Sequence, residues 1–299
     1  MSEKELTGPR LKVGVIGCGR ISEKHLSAFS DEKVFADLVA VTDIDESKAR
    51  EKSAKYNVPY YTNYDDMLKK YPEIDLIDVL TPSGYHAEHV IDLFKYKRHI
   101  VVEKPMALRV EDAADMILAQ RKSGKRLFVI KQNRFNQAVM IVRKAMEEGR
   151  FGKLVMGTVR VRWKRDQKYY EQADWRGTFA LDGGVIAQQA SHHLDLLQWF
   201  MGPIESLQCR AATRLMDIEV EDTAAAVMKF TSGALGVFEA TVAARPEDLE
   251  GSISILGEKG SVIIGGTAVN KIEYWNFTDK KDDDGTIIRQ FSEDVQNIY

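Results

Sequence analysis

Short apolar runs alternate with longer amphipathic stretches over roughly the first 130 residues of the chain. The runs lie within 11–16, 37–43, 75–80, 99–103 and 126–131. Short runs of this kind, closed by turn-forming residues, are typical of strands that are buried on both faces. Because parallel strands joined by helices need right-handed crossovers, the alternation predicts an α/β fold with a doubly wound parallel sheet.

The pattern changes after residue 139, where a helix is predicted at 139–148. The remaining chain is mostly strand-like, at 154–163, 205–213, 224–230, 234–241, 252–256 and 261–264. Turn signals at 231–233 and 257–260 suit antiparallel hairpins, and 280–285 is predicted to be a solvated turn. A helix at 184–201 interrupts the strands. The sequence thus predicts two domains: 1–132, with the parallel sheet, and 133–299, an α+β domain with a large, mostly antiparallel open sheet.

Composition excludes several classes of partner. The 299 residues carry a formal net charge of -3 with both signs interspersed, so we expect no nucleic-acid partner and no membrane partner. No apolar run approaches the ~18 residues of a membrane span, and the polar start of the chain is unlike a signal peptide. Because Cys18 and Cys209 make no disulfide framework, we expect a reducing, cytoplasmic location.

The first apolar run ends in the corner Gly17-Cys18-Gly19-Arg20-Ile21-Ser22. In a dinucleotide-binding corner, Gly17 permits the tight turn, Gly19 lets the backbone approach a pyrophosphate, and a small Ser22 lets the helix pack on the strand. The helix that begins here would point free N–H groups and its positive dipole end at the phosphates. An ordinary glycine turn is the alternative. The next strand favours a dinucleotide, because it closes in Asp43, where such folds place the carboxylate that binds the adenosine ribose.

Asp43 also favours NAD over NADP. The 2′-phosphate of NADP carries nearly two negative charges, and one pair of like charges at contact distance costs up to ~4 kcal/mol at an effective dielectric constant of about 20. The chain continues Ile44-Asp45-Glu46, with no arginine or lysine to bind such a phosphate. The alternative role of Asp43 is to cap the following helix.

A lysine follows the fourth apolar run, in Glu103-Lys104-Pro105. An ammonium group there can hydrogen-bond a reacting hydroxyl, stabilise alkoxide character, or pass a proton if burial lowers its pKa. A surface lysine is the alternative. Ligands of parallel sheets bind beyond the carboxyl ends of the strands. We therefore expect one crevice to be shared by the residues at or past these ends: Ser22, Asp43, Thr81, Lys104 and Asn133.

The helix predicted at 184–201 carries a second candidate. Apolar residues recur there at steps of three and four and predict one buried stripe, made of Ile186, Ala190, Leu194, Leu197 and Met201. His192 lies on the opposite face, where it could accept a hydroxyl proton, with Asp195 available to orient its ring. His193 lies nearer the stripe and is predicted to be structural. The histidines and cysteines have no recognisable zinc-ligand spacing, so no metal is expected.

Basic and aromatic residues are interleaved before this helix, in Arg162-Trp163-Lys164-Arg165, Tyr169-Tyr170 and Trp175-Arg176. Such interleaving can indicate nucleic-acid binding. Because the cluster is local and the chain is acidic overall, stacking and phosphate binding to a small anionic ligand fit as well. An ordinary basic loop is the alternative.

Together these motifs resemble the glucose-fructose oxidoreductase and inositol dehydrogenase family, Gfo/Idh/MocA, over nearly the whole chain. The resemblance rests on Gly17-Cys18-Gly19, Asp43, Thr81-Pro82 with His86, Glu103-Lys104-Pro105, Trp175-Arg176 and the glycine-led helix with His192. It implies an N-terminal Rossmann domain and NAD(P)-dependent oxidation or reduction at a hydroxyl carbon of a sugar, polyol or related compound. It also implies dimers or tetramers formed through the exposed face of the second-domain sheet.

The resemblance implies a site with Lys104 and His192 as catalytic residues, and Asp43 makes NAD the expected cofactor. The cofactor residues it implies are Gly17, Cys18, Gly19, Arg20, Ile21, Asp43, Thr81, Pro82, His86, Glu103 and Lys104. The substrate residues it implies are Asn133, Arg162, Tyr169, Trp175, Arg176, Gln188 and His192. Among the branches of the family, the chain looks most like the nucleotide-sugar 3-dehydrogenases that act on UDP-N-acetylglucosamine or its uronate. The phosphates and the base of the UDP group would suit the basic and aromatic cluster.

The sequence departs from the family pattern at Gln188 and Ala190, where the family usually has Asp or Asn and Gly. Gln188 can hydrogen-bond a substrate but cannot carry a proton, so proton transfer falls to His192 or Lys104, or the activity is weakened. The chain also stops at Tyr299, where relatives commonly continue with a helix, and is expected to be truncated. Two alternative functions stay open: a free polyol, inositol or hexose dehydrogenase, and a catalytically silent NAD-binding regulator.

Overall fold

A computed structural model describes residues 8–31 and 34–293. The start of the chain, where no signal peptide is expected, and its end at Tyr299 lie outside the described residues. Contacts between Cα atoms divide the chain into two compact units, Met1–Ile130 and Lys131–Tyr299.

In its described residues, the first unit is built on a six-stranded sheet in which all paired strands are parallel. The strands are β1 (Leu11–Ile16), β2 (Ala36–Thr42), β3 (Tyr60–Tyr61), β4 (Leu76–Val79), β5 (His99–Val102) and β6 (Leu127–Val129). Their order is β3-β2-β1-β4-β5-β6, so the direction of winding reverses between β1 and β4. Doubly wound sheets bind ligands beyond the carboxyl ends of the strands at this point. The predicted Rossmann architecture is confirmed.

Helices connect these strands and begin where the sequence provides caps. They are α1 (Ser22–Phe29), α2 (Glu46–Tyr56), α3 (Tyr64–Lys70), α4 (His86–Leu93) and α5 (Val110–Ser123). Asp45 caps α2 by accepting a hydrogen bond from the Ser47 backbone N–H at 3.0 Å, and Asn63 caps α3 in the same way through Asp65 at 2.7 Å. Each cap satisfies a backbone N–H group that has no partner within the helix.

The second unit contains, in its described part, a seven-stranded sheet. The strands are β7 (Leu154–Arg162), β8 (Ile204–Ala212), β9 (Thr223–Phe230), β10 (Leu235–Thr241), β11 (Glu250–Gly257), β12 (Gly260–Gly265) and β13 (Lys271–Phe277). Their order is β13-β12-β11-β7-β10-β9-β8. Only β7 and β10 of this sheet pair in parallel, and the other described pairs are antiparallel. The predicted mostly antiparallel sheet is confirmed, although β13 was not predicted.

The two faces of this sheet differ. The helices of the unit are α6 (Gln137–Glu147), α7 (Gln167–Tyr170), α8 (Ser191–Met201) and α9 (Asp284–Gln290). Helix α8 packs on β7 so closely that a Cβ at Gly157 would lie 2.8 Å from atoms of Leu197 and Met201. On the other face, alternate residues are open to solvent, such as Val227 (58% exposed) and Leu235 (56%). No helix within the described residues has both the length and the apolar character that a membrane span needs.

The helix predicted at 184–201 is in fact two segments. Val185–Gln189 forms a π-helical turn, and α8 begins after one intervening residue, Ala190. A π turn carries one more residue per hydrogen-bonded ring than an α-helix, so it rotates the α8 side chains relative to those of a continuous α-helix. The predicted stripe is partly right, since Ala190, Leu197 and Met201 are buried and Ile186 and Leu194 are partly buried. His192, predicted on the opposite face, is buried as well, as are Leu196 and Phe200.

The solvated turn predicted at 280–285 is wrong at its end, because Asp284 begins α9 and is buried. Its Oδ1 and Oδ2 accept hydrogen bonds from the Arg150 guanidinium, both at 2.8 Å, and Oδ1 also accepts one from Trp275 Nε1 at 2.6 Å. A buried carboxylate is tolerated when a paired cation offsets its lost hydration. The pairing joins the start of α9 to the segment between α6 and β7.

Candidate functional site

The glycine corner follows β1, at the point where the winding of the first sheet reverses. Gly17 has a φ of +102°, and a Cβ there would lie 2.7 Å from the Leu80 carbonyl group, so only glycine fits between this turn and the end of β4. Gly19 has open space instead, with no described heavy atom within 4 Å of a Cβ built on it. Ser22 is buried, and its hydroxyl donates to the Gly19 carbonyl at 2.7 Å.

Asp43 lies beside this corner, just after β2. Its Oδ2 accepts a hydrogen bond from the Cys18 backbone N–H at 2.7 Å, and its Oδ1 accepts one from the Asp45 N–H at 2.9 Å. Each carboxylate oxygen retains a further lone pair that can accept from a ribose hydroxyl. The capping role considered for Asp43 belongs to Asp45. Arg20 and Ile21 are the residues of the corner that precede α1, and the first is exposed and the second half-buried.

The chain that follows β4 contains Thr81, Pro82 and His86. Thr81 and Pro82 are half-buried, whereas His86 is 1% exposed. The His86 ring nitrogens lie 2.7 Å from the Pro105 carbonyl oxygen and 2.8 Å from that of Thr81. His86 therefore joins the segments that follow β4 and β5. Cofactor contact by these residues stays a prediction.

Glu103 and Lys104 directly follow β5. Glu103 is buried; its Oε2 accepts a hydrogen bond from the Lys104 backbone N–H at 2.8 Å, and its Oε1 lies 3.0 Å from His25 Nε2. The second ring nitrogen of His25 lies 2.8 Å from Oδ2 of Asp78 on β4. Lys104 itself is half-buried, and its backbone is held by a buried group of charges.

In the second unit, the π turn before α8 is fixed by Glu221. Val185 N–H donates to the Glu221 carbonyl at 2.9 Å, and Ile186 N–H donates to Glu221 Oε1 at 3.0 Å. Gly184 has a φ of +72°, and a Cβ there would overlap the Glu221 carboxylate. The positive φ favours glycine at 184, and a larger residue would also displace the Glu221 side chain. π turns inside helices frequently occur at functional sites.

His192 lies in the first turn of α8 and is 8% exposed. Its Nε2 is 3.1 Å from Nε2 of Gln132, so the Gln132 carboxamide helps to determine which ring nitrogen carries the proton. Asp195 does not orient His192 as predicted. Its two oxygens accept hydrogen bonds from Arg134 Nε and Nη2, at 2.7 and 2.8 Å, because a bidentate guanidinium is the stronger partner.

His193 and Gln188 have well-defined surroundings. His193 is fully buried, its ring packs edge-on against Trp163 at 5.5 Å between centroids, and burial lowers the pKa of His193 to about 4. This environment agrees with the structural role predicted for it. Gln188 Nε2 donates to Asp182 Oδ1 at 2.8 Å, while Asp182 Oδ2 accepts from the Gly177 N–H at 2.7 Å. Because the Asp182 carboxylate binds Nε2 of Gln188, it also fixes the orientation of the Gln188 carboxamide oxygen.

Tyr169, Trp175 and Arg176 form a cluster beside the π turn. The Arg176 guanidinium carbon lies 4.2 Å from the Tyr169 ring centroid and 5.3 Å from that of Trp175, and the Tyr169 hydroxyl accepts a hydrogen bond from Gln189 Nε2 at 3.1 Å. Arg176 Nε and Nη1 are buried, and among the described residues no hydrogen-bond acceptor meets them. Aromatic faces therefore hold this cation within the described structure, an arrangement suited to an anionic ligand.

Arg162 belongs to a different part of the second unit. Its Nε and Nη2 bind the Glu239 carboxylate at 2.6 and 2.9 Å, and its Nη1 lies 3.3 Å from Glu250 Oε2. Along β7 it alternates with Val161, which is fully buried in the core. Arg162 therefore lies on the open face of the sheet, opposite α8. Strand alternation thus puts its side chain on the face opposite Val161, and its substrate contact stays a prediction.

Sequence reasoning missed His25, Asp78 and Gln132. Asp78 offered a signal, since a carboxylate within the buried strand LIDV needs a partner. His25 and Gln132 offered none, because their partners are distant in sequence. Asn133 lies beside Gln132 in the 3-10 segment Gln132–Phe135 and is half-buried. Its substrate contact stays a prediction.

The described residues of the first unit fit a dinucleotide. The backbone at Gly19 is uncovered, α1 begins beside it, and the Asp43 carboxylate is fixed nearby. Within residues 8–31 and 34–293, no group of three or more His, Cys, Asp or Glu side chains could hold a metal ion.

Family comparison agrees with this geometry. Residues 11–131 match the oxidoreductase family with an NAD-binding Rossmann fold, and residues 139–263 match the GFO/IDH/MocA C-terminal domain. The chain belongs to the Gfo/Idh/MocA family of oxidoreductases, as its motifs predict, and its cofactor is NAD.

Solved structures of two relatives are closely similar. The WlbA dehydrogenase from Chromobacterium violaceum, in complex with NADH and UDP-GlcNAcA, is 41% identical with a TM-score of 0.92, over 96% of this chain and 83% of that chain. The WlbA dehydrogenase from Bordetella pertussis, in the same complex, is 42% identical with a TM-score of 0.91, over 94% of this chain and 84% of that one. Myo-inositol 2-dehydrogenase of Thermotoga maritima is 28% identical over 84% of this chain and 74% of its own length.

Proposed function

We propose that the protein oxidises a ring hydroxyl of a nucleotide sugar with NAD, at C3 of a UDP-N-acetylglucosamine-type sugar or its uronate. The observation that carries this proposal is the similarity to the two WlbA dehydrogenases, whose structures contain NADH and UDP-GlcNAcA. The sequence identity to a free-polyol enzyme, myo-inositol 2-dehydrogenase, is 28%, which is much lower than the identity to either WlbA dehydrogenase.

The cluster around Arg176 is the proposed binding site for the anionic part of this substrate. A guanidinium held against the Tyr169 and Trp175 rings can form charge-assisted hydrogen bonds with a phosphate or a carboxylate. Tyr169 and Trp175 offer aromatic faces for stacking. Asn133 and Gln188 are proposed to hydrogen-bond sugar hydroxyls.

The proposed chemistry uses Lys104 and His192. NAD, when bound, supplies the hydride acceptor. The Lys104 ammonium polarises the substrate hydroxyl oxygen, and His192 takes the hydroxyl proton as the carbonyl forms. The oxidation removes one hydride and one proton, and His192 accounts for the proton. Gln188 has no proton-accepting group, so it cannot take this step in place of His192.

A panel assay tests the proposed substrate. The purified protein is incubated with NAD and, separately, UDP-GlcNAcA, UDP-GlcNAc, myo-inositol and glucose, and the absorbance of reduced nicotinamide is followed. We expect turnover with one of the UDP sugars and a product whose carbonyl is assigned to C3 by NMR. Turnover of inositol or glucose alone would identify a free-polyol or hexose dehydrogenase. Tight NADH binding with no turnover on any of the four would identify a regulator.

Asp43→Asn tests the proposed ribose contact and NAD preference. The variant keeps an oxygen that can accept from the Cys18 N–H but removes the charge. Losing a hydrogen bond to a charged group costs about 1.5–3 kcal/mol, or roughly 10–100-fold in the Kd for NADH. The Kd for NADPH should rise less or fall, since like-charge repulsion is relieved. Fluorescence titration measures both, and Asp45→Asn, which retains a capping residue, is the control. An unchanged ratio of the two Kd values would show that Asp43 does not contact the ribose.

The open face of the seven-stranded sheet is proposed to join copies of the chain into dimers or tetramers. It exposes Val227 and Leu235, at 58% and 56%, and exposed apolar patches commonly mark interfaces. Val227→Glu with Leu235→Glu should reduce the mass measured by light scattering, whereas Val110→Glu, at a residue 82% exposed in the first unit, should not. A monomeric wild type contradicts the proposal.

A cytoplasmic location is proposed as well. Cys18 and Cys209 are free thiols, which suits a reducing compartment. Fractionation of the native host, with the protein detected by antibody, tests this.

A further inference from the structure

A buried group of charges lies between α1, β4 and the end of β5. The His25 side chain, 14% exposed, has Nδ1 2.8 Å from Asp78 Oδ2 and Nε2 3.0 Å from Glu103 Oε1. Asp78 is 1% exposed and Glu103 is 6% exposed. Ionised carboxylates only accept hydrogen bonds, so an imidazole that bonds to both must donate from both nitrogens and carry a positive charge.

The surroundings favour this charged state. Burial alone would lower the pKa of His25, but the hydrogen bonds to the two carboxylates raise it to about 10. Burial opposes ionisation of Glu103, yet the bond from His25 leaves the pKa of Glu103 below its usual value. Burial raises the pKa of Asp78, and the His25 contact opposes this rise. Without the imidazolium, two carboxylates would be buried together, which is strongly unfavourable.

The group connects two functional parts of the first unit. His25 lies one turn into α1, the helix that begins at the glycine corner. Glu103 uses its second oxygen, Oε2, to accept the Lys104 backbone N–H at 2.8 Å. A continuous set of hydrogen bonds thus runs from α1 through His25 and Glu103 to the backbone of Lys104.

We propose that His25 is a positioning residue for Lys104. The imidazolium is fixed by Asp78, it fixes Glu103, and Glu103 fixes the Lys104 backbone relative to α1. His25 needs no contact with substrate or cofactor in this role. The inference rests on the proposed function only in that Lys104 is taken as the reactive lysine.

The positioning role of His25 predicts that its removal changes the pH dependence of kcat. The titratable and charged groups that face the cluster are Asp78 on β4, Glu103 and Lys104 after β5, and His86 on α4. Removing the cation raises the pKa of Glu103, because its burial is then opposed by less positive charge. As the pH is lowered, Glu103 is then protonated at a higher pH than in the wild type. If activity needs the ionised carboxylate, the acid limb of the kcat profile moves to higher pH.

His25→Gln is the test variant. We expect kcat to fall by up to about 10²-fold, as for a reacting group displaced by about an ångström, and the acid limb to move up by about one pH unit. The Kd for NADH should stay within about threefold. His99→Gln is the matched control. It is the same substitution at the start of β5, where His99 Nδ1 accepts the Arg126 N–H at 3.1 Å, and it should change neither kcat nor the profile. Equal losses of kcat and NADH affinity, with an unmoved acid limb, would overturn the proposal.

Two further measurements keep the test decisive if His25→Gln folds poorly. His25→Gln with Asp78→Asn removes one positive and one negative charge, so folding should recover while kcat stays low; recovered kcat contradicts the proposal.

Because the folded-state pKa of His25 lies above its usual value, its stabilisation is present at neutral pH and is lost as the pH rises through about 10. The difference in Tm between wild type and His25→Gln should therefore narrow as the pH is raised from neutral to about 10.

¹⁵N NMR of the imidazole groups, assigned with His25→Gln, needs no substrate. A His25 ring protonated on both nitrogens at neutral pH supports the proposal, and a neutral ring overturns it. If the UDP sugars are not substrates, the nucleotide-sugar proposal fails, while the kinetic test of His25 is made with whichever compound of the panel is oxidised. If none is oxidised, the NMR result decides.

Discussion

Lys104→Met should lower kcat by about 10²–10³-fold, the usual effect of removing one preorganised charge from the oxygen at which negative charge develops. Methionine has a similar length and no charge, and the Glu103 carboxylate can still accept the backbone N–H of residue 104. The Kd for NADH should therefore change by only a few-fold. Steady-state kinetics with the active compound of the panel and a fluorescence titration measure the two quantities.

Lys69→Met is the matched control for this variant, since Lys69 is exposed on α3 of the same unit. It should retain full activity. Lys104→Arg should recover part of the lost rate, because polarising the oxygen needs only a positive charge, whereas shuttling a proton needs a group that can lose one. Full activity of Lys104→Met would remove Lys104 from the mechanism.

His192→Asn should lower kcat by about 10²–10⁴-fold at neutral pH, the range for loss of a general base. The loss should diminish as the pH rises, because hydroxide can then take the hydroxyl proton. A substrate deuterated at the reacting carbon should show a larger isotope effect on kcat in the variant, since chemistry becomes the slow step. Stopped-flow and steady-state rates over a pH series measure these changes.

Gln198→Asn is the control on the same helix, because Gln198 is exposed on α8, and it should leave the rate and the isotope effect unchanged. A His192→Asn protein with the wild-type pH profile and a uniformly reduced rate would show that His192 acts through packing.

The nucleotide-binding unit could be predicted from the sequence because its requirements are local. A buried strand followed by Gly17 and Gly19 is specified within a few residues, because turn conformation and close approach of backbone are local requirements. The position of Asp43 follows from the length of one helix and one strand. The doubly wound parallel sheet and the mostly antiparallel second sheet followed from hydrophobic period and turn residues for the same reason.

Partners of charged side chains were decided by tertiary structure. The glutamate partners of Arg162 were not predicted: strand alternation and the pairing of β7 with β10 and β11 put its guanidinium against Glu239 and Glu250. Asp195 was predicted to serve His192 from helical spacing, yet Arg134 binds it in bidentate fashion. Ion pairs depend on which strands and helices become neighbours, and a linear pattern does not contain that information.

The sequence by itself therefore determined the fold class, the dinucleotide corner and the lysine and histidine candidates, because each depends on residues close together in the chain. Tertiary structure alone decided the π turn that rotates α8, the Gln132 partner of His192, and the burial of His25 between Asp78 and Glu103. Those features join residues that are far apart in sequence, and the free energy of burying a charge is defined only once every element around it is in place.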